Sequence, residues 1–132
     1  MSKKNKSDIS VYGIVIKILG EPEFAKGIFQ RIKNPLTAEA IYDNLPIKDK
    51  ARIYKEKEIY IQGIGIKKGR EKPTLEVEKG YIAYWPLGDG ICIFLEKIEP
   101  YSEVNVIGKV TENLELLKSK IKAGTPIIID RE

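Results

Sequence analysis

Alternating apolar and polar positions divide most of the chain into short predicted strands. Residues 11–19 place Ile14, Ile16 and Ile18 on one face of a strand. After the turn Gly20-Glu21-Pro22, residues 23–31 alternate less regularly, and the two segments together predict a hairpin. Further strands are predicted over 51–66, with a turn or edge at 55–57, around Val77, over 104–110 and over 125–130.

The segment 80–95 predicts a second hairpin and holds the only tryptophan, Trp85, and the only cysteine, Cys92. Side chains alternate along a strand, so Tyr81, Ala83 and Trp85 share one face and the residues between them share the other. The Gly88-Asp89-Gly90 sequence predicts the turn, because glycine supplies positive φ angles. No helix follows that would make it a phosphate loop. Cys92 stands between two isoleucines without a basic neighbour, which predicts a buried, unreactive thiol.

Two helices interrupt the strands. Asn34 is a suitable cap and Pro35 a suitable first residue for the first helix, which Pro46 ends. Thr111 or Asn113 would cap the second, whose buried face is predicted to carry Leu114, Leu117 and Ile121, with Gly124 at its exit.

Many short strands with only two helices predict a mainly β protein. We expect a closed barrel of about eight strands capped by two α-helices, because closure removes exposed strand edges. A length of 132 residues predicts one domain, here 9–132, preceded by a flexible basic tail at 1–8.

Charge and composition narrow the partners. The net charge of +4 is concentrated in the tail and in the loop 67–72, so we expect solvated lysines and no nucleic-acid partner. No apolar run is long enough for a membrane helix, which predicts no membrane association. A single cysteine predicts a cytoplasmic location. The abundance of isoleucine, lysine and glutamate is typical of a heat-adapted organism.

The absence of histidine excludes several chemistries. A Ser-His or Cys-His pair cannot form, and no imidazole can bind zinc. The sequence contains no glycine-rich phosphate loop and no calcium-binding pattern, so we predict no cofactor and no metal. Any catalysis would use Asp, Glu, Lys, Tyr or Arg.

One set of side chains predicts a binding cleft with aromatic walls, one carboxylate and one amide. A structural interpretation competes, in which the aromatic residues are core and the tyrosine hydroxyls are hydrogen-bonded. Asn105, between two valines on a strand, either satisfies backbone groups at a bulge or orients a ligand. The set consists of Glu58, Tyr60, Tyr84, Trp85, Phe94 and Asn105.

Three segments resemble cyclophilins in the same order along the chain. They are the first hairpin with Asn34-Pro35-Leu36-Thr37-Ala38-Glu39, the hairpin 80–95, and Val104-Asn105-Val106-Ile107-Gly108-Lys109-Val110. The chain is more similar to a cyclophilin-like family of unknown function in archaea and bacteria, through Thr37-Ala38, Leu45-Pro46, Glu58-Ile59-Tyr60, Ala83-Tyr84-Trp85-Pro86 and Val104-Asn105-Val106. The resemblance implies a cyclophilin-like barrel over roughly residues 11–130.

The same resemblance implies that the prolyl isomerase machinery is missing. Cyclophilins use an arginine on a central strand, and the matching segment 58–62 has none; Arg52 is the nearest. The cyclophilin groove histidine falls at Val104, and its groove tryptophan falls near Glu99. Phe94 matches a groove-lining residue, whereas Trp85 and Pro86 replace small and amide-bearing residues and would narrow the groove.

Three hypotheses about function follow. The first is a non-enzymatic module that binds a peptide or small molecule in the degenerate groove. The second is an enzyme that uses Glu58 and Tyr60 as an acid–base pair, for which a raised pKa of Glu58 in an open cleft would be evidence. The third is a structural protein that acts as a homo-oligomer through an apolar surface.

Overall fold

The computed structural model describes residues 11–132, which form nine strands and two helices; the predicted tail lies outside them. The elements are β1 (Val11–Ile18), β2 (Phe24–Gln30), α1 (Pro35–Asp43), β3 (Ile47–Lys50), β4 (Arg52–Tyr54), β5 (Glu58–Ile61), β6 (Tyr81–Trp85), β7 (Gly90–Phe94), β8 (Asn105–Glu112), α2 (Leu114–Lys120) and β9 (Pro126–Arg131).

All described strands belong to one antiparallel sheet in the order β3-β9-β1-β2-β8-β6-β7-β5-β4. The two edge strands, β3 and β4, are consecutive in sequence and are separated only by Ala51. The Ala51 N–H donates to the Thr125 carbonyl, and the Gly124 N–H donates to the Ala51 carbonyl. The sheet is therefore a nearly closed barrel with its seam at Ala51, which confirms the predicted fold class.

The barrel interior is filled mainly by isoleucines from alternate strand positions. Ile14 and Ile16 of β1 and Ile93 of β7 are almost completely buried there. Ile41 of α1 and Leu117 of α2 join the same cluster, so both helices cover the barrel core. β-Branched side chains suit such a surface because they pack well on a pleated sheet.

A second apolar cluster lies apart from the barrel core and positions the site described below. Its buried members come from the opposite faces of β6 and β7 and from the segments beside them. They are Val77, Ala83, Cys92, Phe94 and Val104. Alternation along β6 sends Ile82 and Tyr84 to the barrel core and Ala83 and Trp85 to this outer cluster, as predicted.

The predicted elements needed three corrections. The strand predicted over 51–66 ends at Ile61, after a hairpin turn at 55–57. Val77 is not in a strand; the nearest pairing is an isolated bridge between Thr74 and Val104. Strand β3 was not predicted, because only one of its four residues is apolar. It forms by pairing with β9.

The helix caps differ from the prediction in chemistry. Asn34 occupies the N-cap position of α1, but its side chain donates to the Val106 carbonyl and accepts from the Lys72 N–H. The Glu71 carboxylate caps the helix instead, because it accepts hydrogen bonds from the Leu36 and Thr37 N–H groups. A carboxylate distant in sequence therefore satisfies the free donors at the start of α1.

Neither helix of the described chain is long and apolar enough to cross a membrane.

Candidate functional site

The outer cluster is flanked by an open pocket of about 220 Å³. Strands β4, β5, β6 and β7 supply one side of its lining, and the segment between β7 and β8 supplies the other. The lining residues are Tyr54, Glu58, Tyr60, Trp85, Cys92, Pro100, Tyr101 and Val104. Four of the eight are aromatic and one is a carboxylate, a composition typical of ligand pockets.

The aromatic walls form a continuous chain of edge-to-face contacts. The ring centroids of Tyr60 and Trp85 are 5.7 Å apart, those of Trp85 and Tyr101 are 6.1 Å apart, and those of Tyr101 and Tyr54 are 6.3 Å apart. The interplanar angles lie between 83° and 88°. This geometry is favourable for aromatic pairs because each ring edge meets a neighbouring ring face.

Trp85 is held in one orientation at the end of β6. Its indole N–H donates to the Ser102 hydroxyl at 2.7 Å, which links β6 to the segment that carries Tyr101. Gly88 lies directly beside the ring, where a methyl group would overlap the indole carbons. Trp85 is half-buried and lines the pocket.

Glu58 is the only charged residue in the pocket lining described here. Its side chain is buried, with 5% of the residue exposed, and its Oε1 atom has no hydrogen-bond partner. Burial raises the pKa of Glu58 above the usual 4.5, against a smaller lowering by a hydrogen bond with the Cys92 thiol. The pocket thus contains a carboxyl group that lacks a compensating charge.

Replacing Glu58 with glutamine should raise the free energy of unfolding at neutral pH by about 1 kcal/mol, because it removes an uncompensated buried charge. The raised pKa of Glu58 means that the folded state binds the proton more tightly than the unfolded chain. The destabilisation of the wild-type protein by the Glu58 charge is therefore absent well below pH 4.5. It grows as the pH rises towards the pKa of Glu58 in the folded state and is constant above that pKa.

Urea unfolding at about pH 4 and about pH 7 measures this difference. Glu99→Gln is the matched control, since Glu99 is exposed and outside the pocket lining. An equal gain for Glu58→Gln at both pH values would contradict the assignment of an ionised, buried Glu58.

Cys92 is buried, as the sequence predicted. Burial, and then the neighbouring Glu58 carboxylate, raise the pKa of the Cys92 thiol well above 9.0. The thiolate is the reactive form of cysteine, so this environment disfavours nucleophilic chemistry.

The structure brings three of the six candidate residues together. Glu58, Tyr60 and Trp85 line the pocket. Phe94 is completely buried in the cluster beside them and does not line the pocket. Tyr84 and Asn105 face the other side of the sheet. The expectation that all six line one cleft is therefore corrected for Phe94, Tyr84 and Asn105.

Tyr84 joins the central hairpin to the segment after β5. Its hydroxyl donates to Asp89 at 2.6 Å and accepts from the Lys68 N–H. Burial, and then the Asp89 carboxylate, raise the pKa of Tyr84 to about 12. Burial alone would raise the pKa of Asp89, but hydrogen bonds from Tyr84 and from the Lys67 and Gly65 N–H groups outweigh it and lower that pKa.

Asn105 performs a similar structural task at the start of β8. Its amide nitrogen donates to the Thr37 hydroxyl and the Gly69 carbonyl, and its amide oxygen accepts from the Glu71 N–H. Asn105 is completely buried, and the adjoining β6–β8 pairing is irregular between Ile82 and Ala83. Two roles were predicted for Asn105, the pairing of backbone groups at a bulge and the orientation of a ligand. Its contacts match the first.

The sequence prediction missed Tyr54, Pro100 and Tyr101. A signal existed for Tyr54: the turn at 55–57 pairs it with Glu58 across β4 and β5, which puts both on one face. Pro100 and Tyr101 lie between strands and have no periodicity that would place them.

Across residues 11–132, no three potential metal ligands among Asp, Glu and Cys lie close enough together to hold a metal ion.

Comparisons with known proteins agree on the architecture. A model of the cyclophilin-like family matches residues 14–130. The solution structure of the hypothetical protein AF2241 from Archaeoglobus fulgidus is similar over 93% of this chain and 96% of that one, with 29% identity and a TM-score of 0.75.

The structure of McbB in complex with tryptophan is similar over 90% of this chain, with 14% identity and a TM-score of 0.72. This chain spans 44% of that McbB chain, and a likeness at such low identity concerns the fold alone. Curated proteins give no match to the chain.

Proposed function

Because the chain belongs to the cyclophilin-like family, we propose that it is a binding module without prolyl isomerase activity, which holds a small molecule or a peptide side chain in the aromatic pocket. The observation that carries this proposal is the lining itself: four rings and one carboxyl group line an open space, and one oxygen of that carboxyl group is enclosed without a hydrogen-bond partner. Unpartnered buried polar atoms are unfavourable in a folded protein unless something compensates for them.

The most direct test is a crystal of the protein purified from its own cells. We expect electron density for a bound compound in contact with Tyr60 and Trp85, and native mass spectrometry gives its mass. Adding that compound to ligand-free protein should shift the emission of Trp85, the only tryptophan. Tryptophan itself belongs in a first panel of candidate ligands, because McbB was solved in complex with it. Its binding is measured by calorimetry, since the emission of free tryptophan would obscure that of Trp85.

Binding of a recovered compound at a different surface, with Trp85 emission unchanged, would contradict the proposal. The matched control is Tyr81→Phe, which alters a tyrosine outside the pocket lining on the same face of β6. Tyr60→Ala should weaken the binding, whereas Tyr81→Phe should not.

We expect no catalysed isomerisation of a proline-containing peptide above the uncatalysed rate. The only arginine on β4 or β5 is Arg52, which pairs with Tyr60 across the strands but is exposed and lies outside the pocket lining. In cyclophilins the hydrogen bonds of the strand arginine act in the transition state. Without an arginine in the pocket lining these bonds cannot form, and most of the rate enhancement of isomerisation is lost. A coupled peptide assay, with an authentic cyclophilin as positive control, measures the rate of isomerisation. Turnover proportional to protein concentration would refute the expectation.

One observation favours an enzyme as a second candidate function. The raised pKa of Glu58 brings this carboxyl closer to neutral pH, where a general acid works best, and the Tyr60 ring lines the same pocket. If the protein is an enzyme, incubation should change the mass of the recovered compound. That conversion should be lost in both Glu58→Gln and Tyr60→Phe, and retained in Glu99→Gln.

A further inference from the structure

The size and charge of the pocket restrict what it can hold. Its volume of about 220 Å³ is below the range of roughly 300–1,000 Å³ that is typical of pockets for drug-sized ligands. It therefore suits one head group or one side chain. In the described part of the chain its lining has one acidic residue, Glu58, and no lysine or arginine.

The aromatic walls favour a positive charge. The face of an aromatic ring carries negative electrostatic potential, so several rings around one space attract a cation more strongly than a neutral group of the same shape. One of the pocket rings already makes such a contact, since the Lys55 ammonium lies 5.3 Å from the centre of the Tyr54 ring. Lys55 itself does not line the pocket.

Glu58 adds two independent requirements. Its carboxylate is buried without a counter-ion, and a bound cation would supply one. Its Oε1 atom is enclosed by the protein and accepts no hydrogen bond from it, so a ligand N–H group towards which the Glu58 side chain turns would supply the missing donor. An anionic ligand would face repulsion from the same carboxylate.

From these observations, and resting on the proposed function, we infer that the pocket binds the positively charged head of an alkylated amine that keeps at least one N–H. The N–H pairs with Glu58, and the alkyl groups contact the rings of Tyr54, Tyr60, Trp85 and Tyr101. The class includes tertiary and secondary alkylammonium groups on a small molecule or on a modified lysine side chain.

The test compares three probes of similar size by NMR titration of the full chain. Trimethylammonium has one N–H and a charge, tetramethylammonium has a charge without an N–H, and tert-butanol is neutral. The single indole N–H signal of Trp85 follows occupancy, and sodium chloride controls for ionic strength. We expect trimethylammonium to bind about tenfold more tightly than tert-butanol, with tetramethylammonium between them.

Two variants separate charge from shape. Glu58→Gln keeps the size of the side chain. It should weaken the binding of trimethylammonium by about tenfold and leave the binding of tert-butanol unchanged; Glu99→Gln is its control. Tyr101→Leu keeps apolar contact but removes one ring. It should weaken the binding of the two cationic probes and leave the binding of tert-butanol unchanged. Tyr101 is 68% exposed, so this change should not unfold the protein, and Tyr101→Phe should preserve binding.

The outcomes distinguish this inference from the proposed function. Equal binding of tert-butanol and trimethylammonium, unaffected by Glu58→Gln, would refute the cation and leave a ligand pocket for neutral groups. Binding of tetramethylammonium as tight as that of trimethylammonium would refute the N–H contact to Glu58. If no probe moves the Trp85 signal, the inference fails, and the crystal of cell-purified protein then decides the proposed function on its own.

Discussion

Replacing Asn105 with alanine should lower the free energy of unfolding by about 3 kcal/mol, because the change removes three hydrogen bonds made by a completely buried amide. It should leave the pocket unaffected, since Asn105 does not line it. The Glu71 N–H and the Gly69 carbonyl both lose the hydrogen bonds that they make with the Asn105 amide. The Thr37 hydroxyl loses a donor at the start of α1. Urea unfolding of the variant and the wild type measures the loss.

The control is Asn44→Ala, since Asn44 is exposed and makes a single side-chain bond, to the Ala40 carbonyl. Its cost should stay below about 1 kcal/mol. A near-neutral Asn105→Ala that abolished ligand binding would return Asn105 to the site and refute its structural role.

Most of the fold could be predicted because it depends on local patterns. Period-two alternation located the long strands, and Pro35 and Pro46 located the boundaries of α1. Helix α2 ends at Lys120, before the exit predicted at Gly124. Strand β3 could not be located in this way. It has one apolar residue in four and exists because β9 and the barrel seam supply its hydrogen-bond partners. That information lies in tertiary structure, which overrides local propensity.

The candidate site was predicted only in part, for two physical reasons. Alternation along β6 already separated Tyr84 from Trp85, yet grouping them in one cleft ignored this rule. The Tyr84 hydroxyl is used by Asp89, inside the protein. Tyr101, in contrast, is brought to the pocket by a segment between strands, and the Ser102 bond to Trp85 links that segment to β6. No periodic pattern encodes such a contact.

Phe94→Ala should be the most destabilising of the changes considered, at about 3–5 kcal/mol, because it leaves a cavity in the outer cluster. Phe94 is completely buried among Val77, Ala83 and Val104. Trp85→Ala should cost the fold less, since Trp85 is only half-buried and borders open space. It should instead weaken the binding of a compound recovered in the pocket by about 2 kcal/mol, as expected for a central aromatic anchor.

Unfolding and calorimetric titration of the two variants, with Trp85→Phe as the conservative control, separate the two roles. Phe94→Ala should keep its affinity for the compound at temperatures where it remains folded, because Phe94 does not line the pocket. Trp85→Ala should keep its fold and lose affinity, because the indole is the ring that joins Tyr60 to Tyr101 in the wall. If Trp85→Ala were as unstable as Phe94→Ala and still bound the compound normally, Trp85 would be a core residue. The pocket would then lose the ring on which its aromatic wall depends.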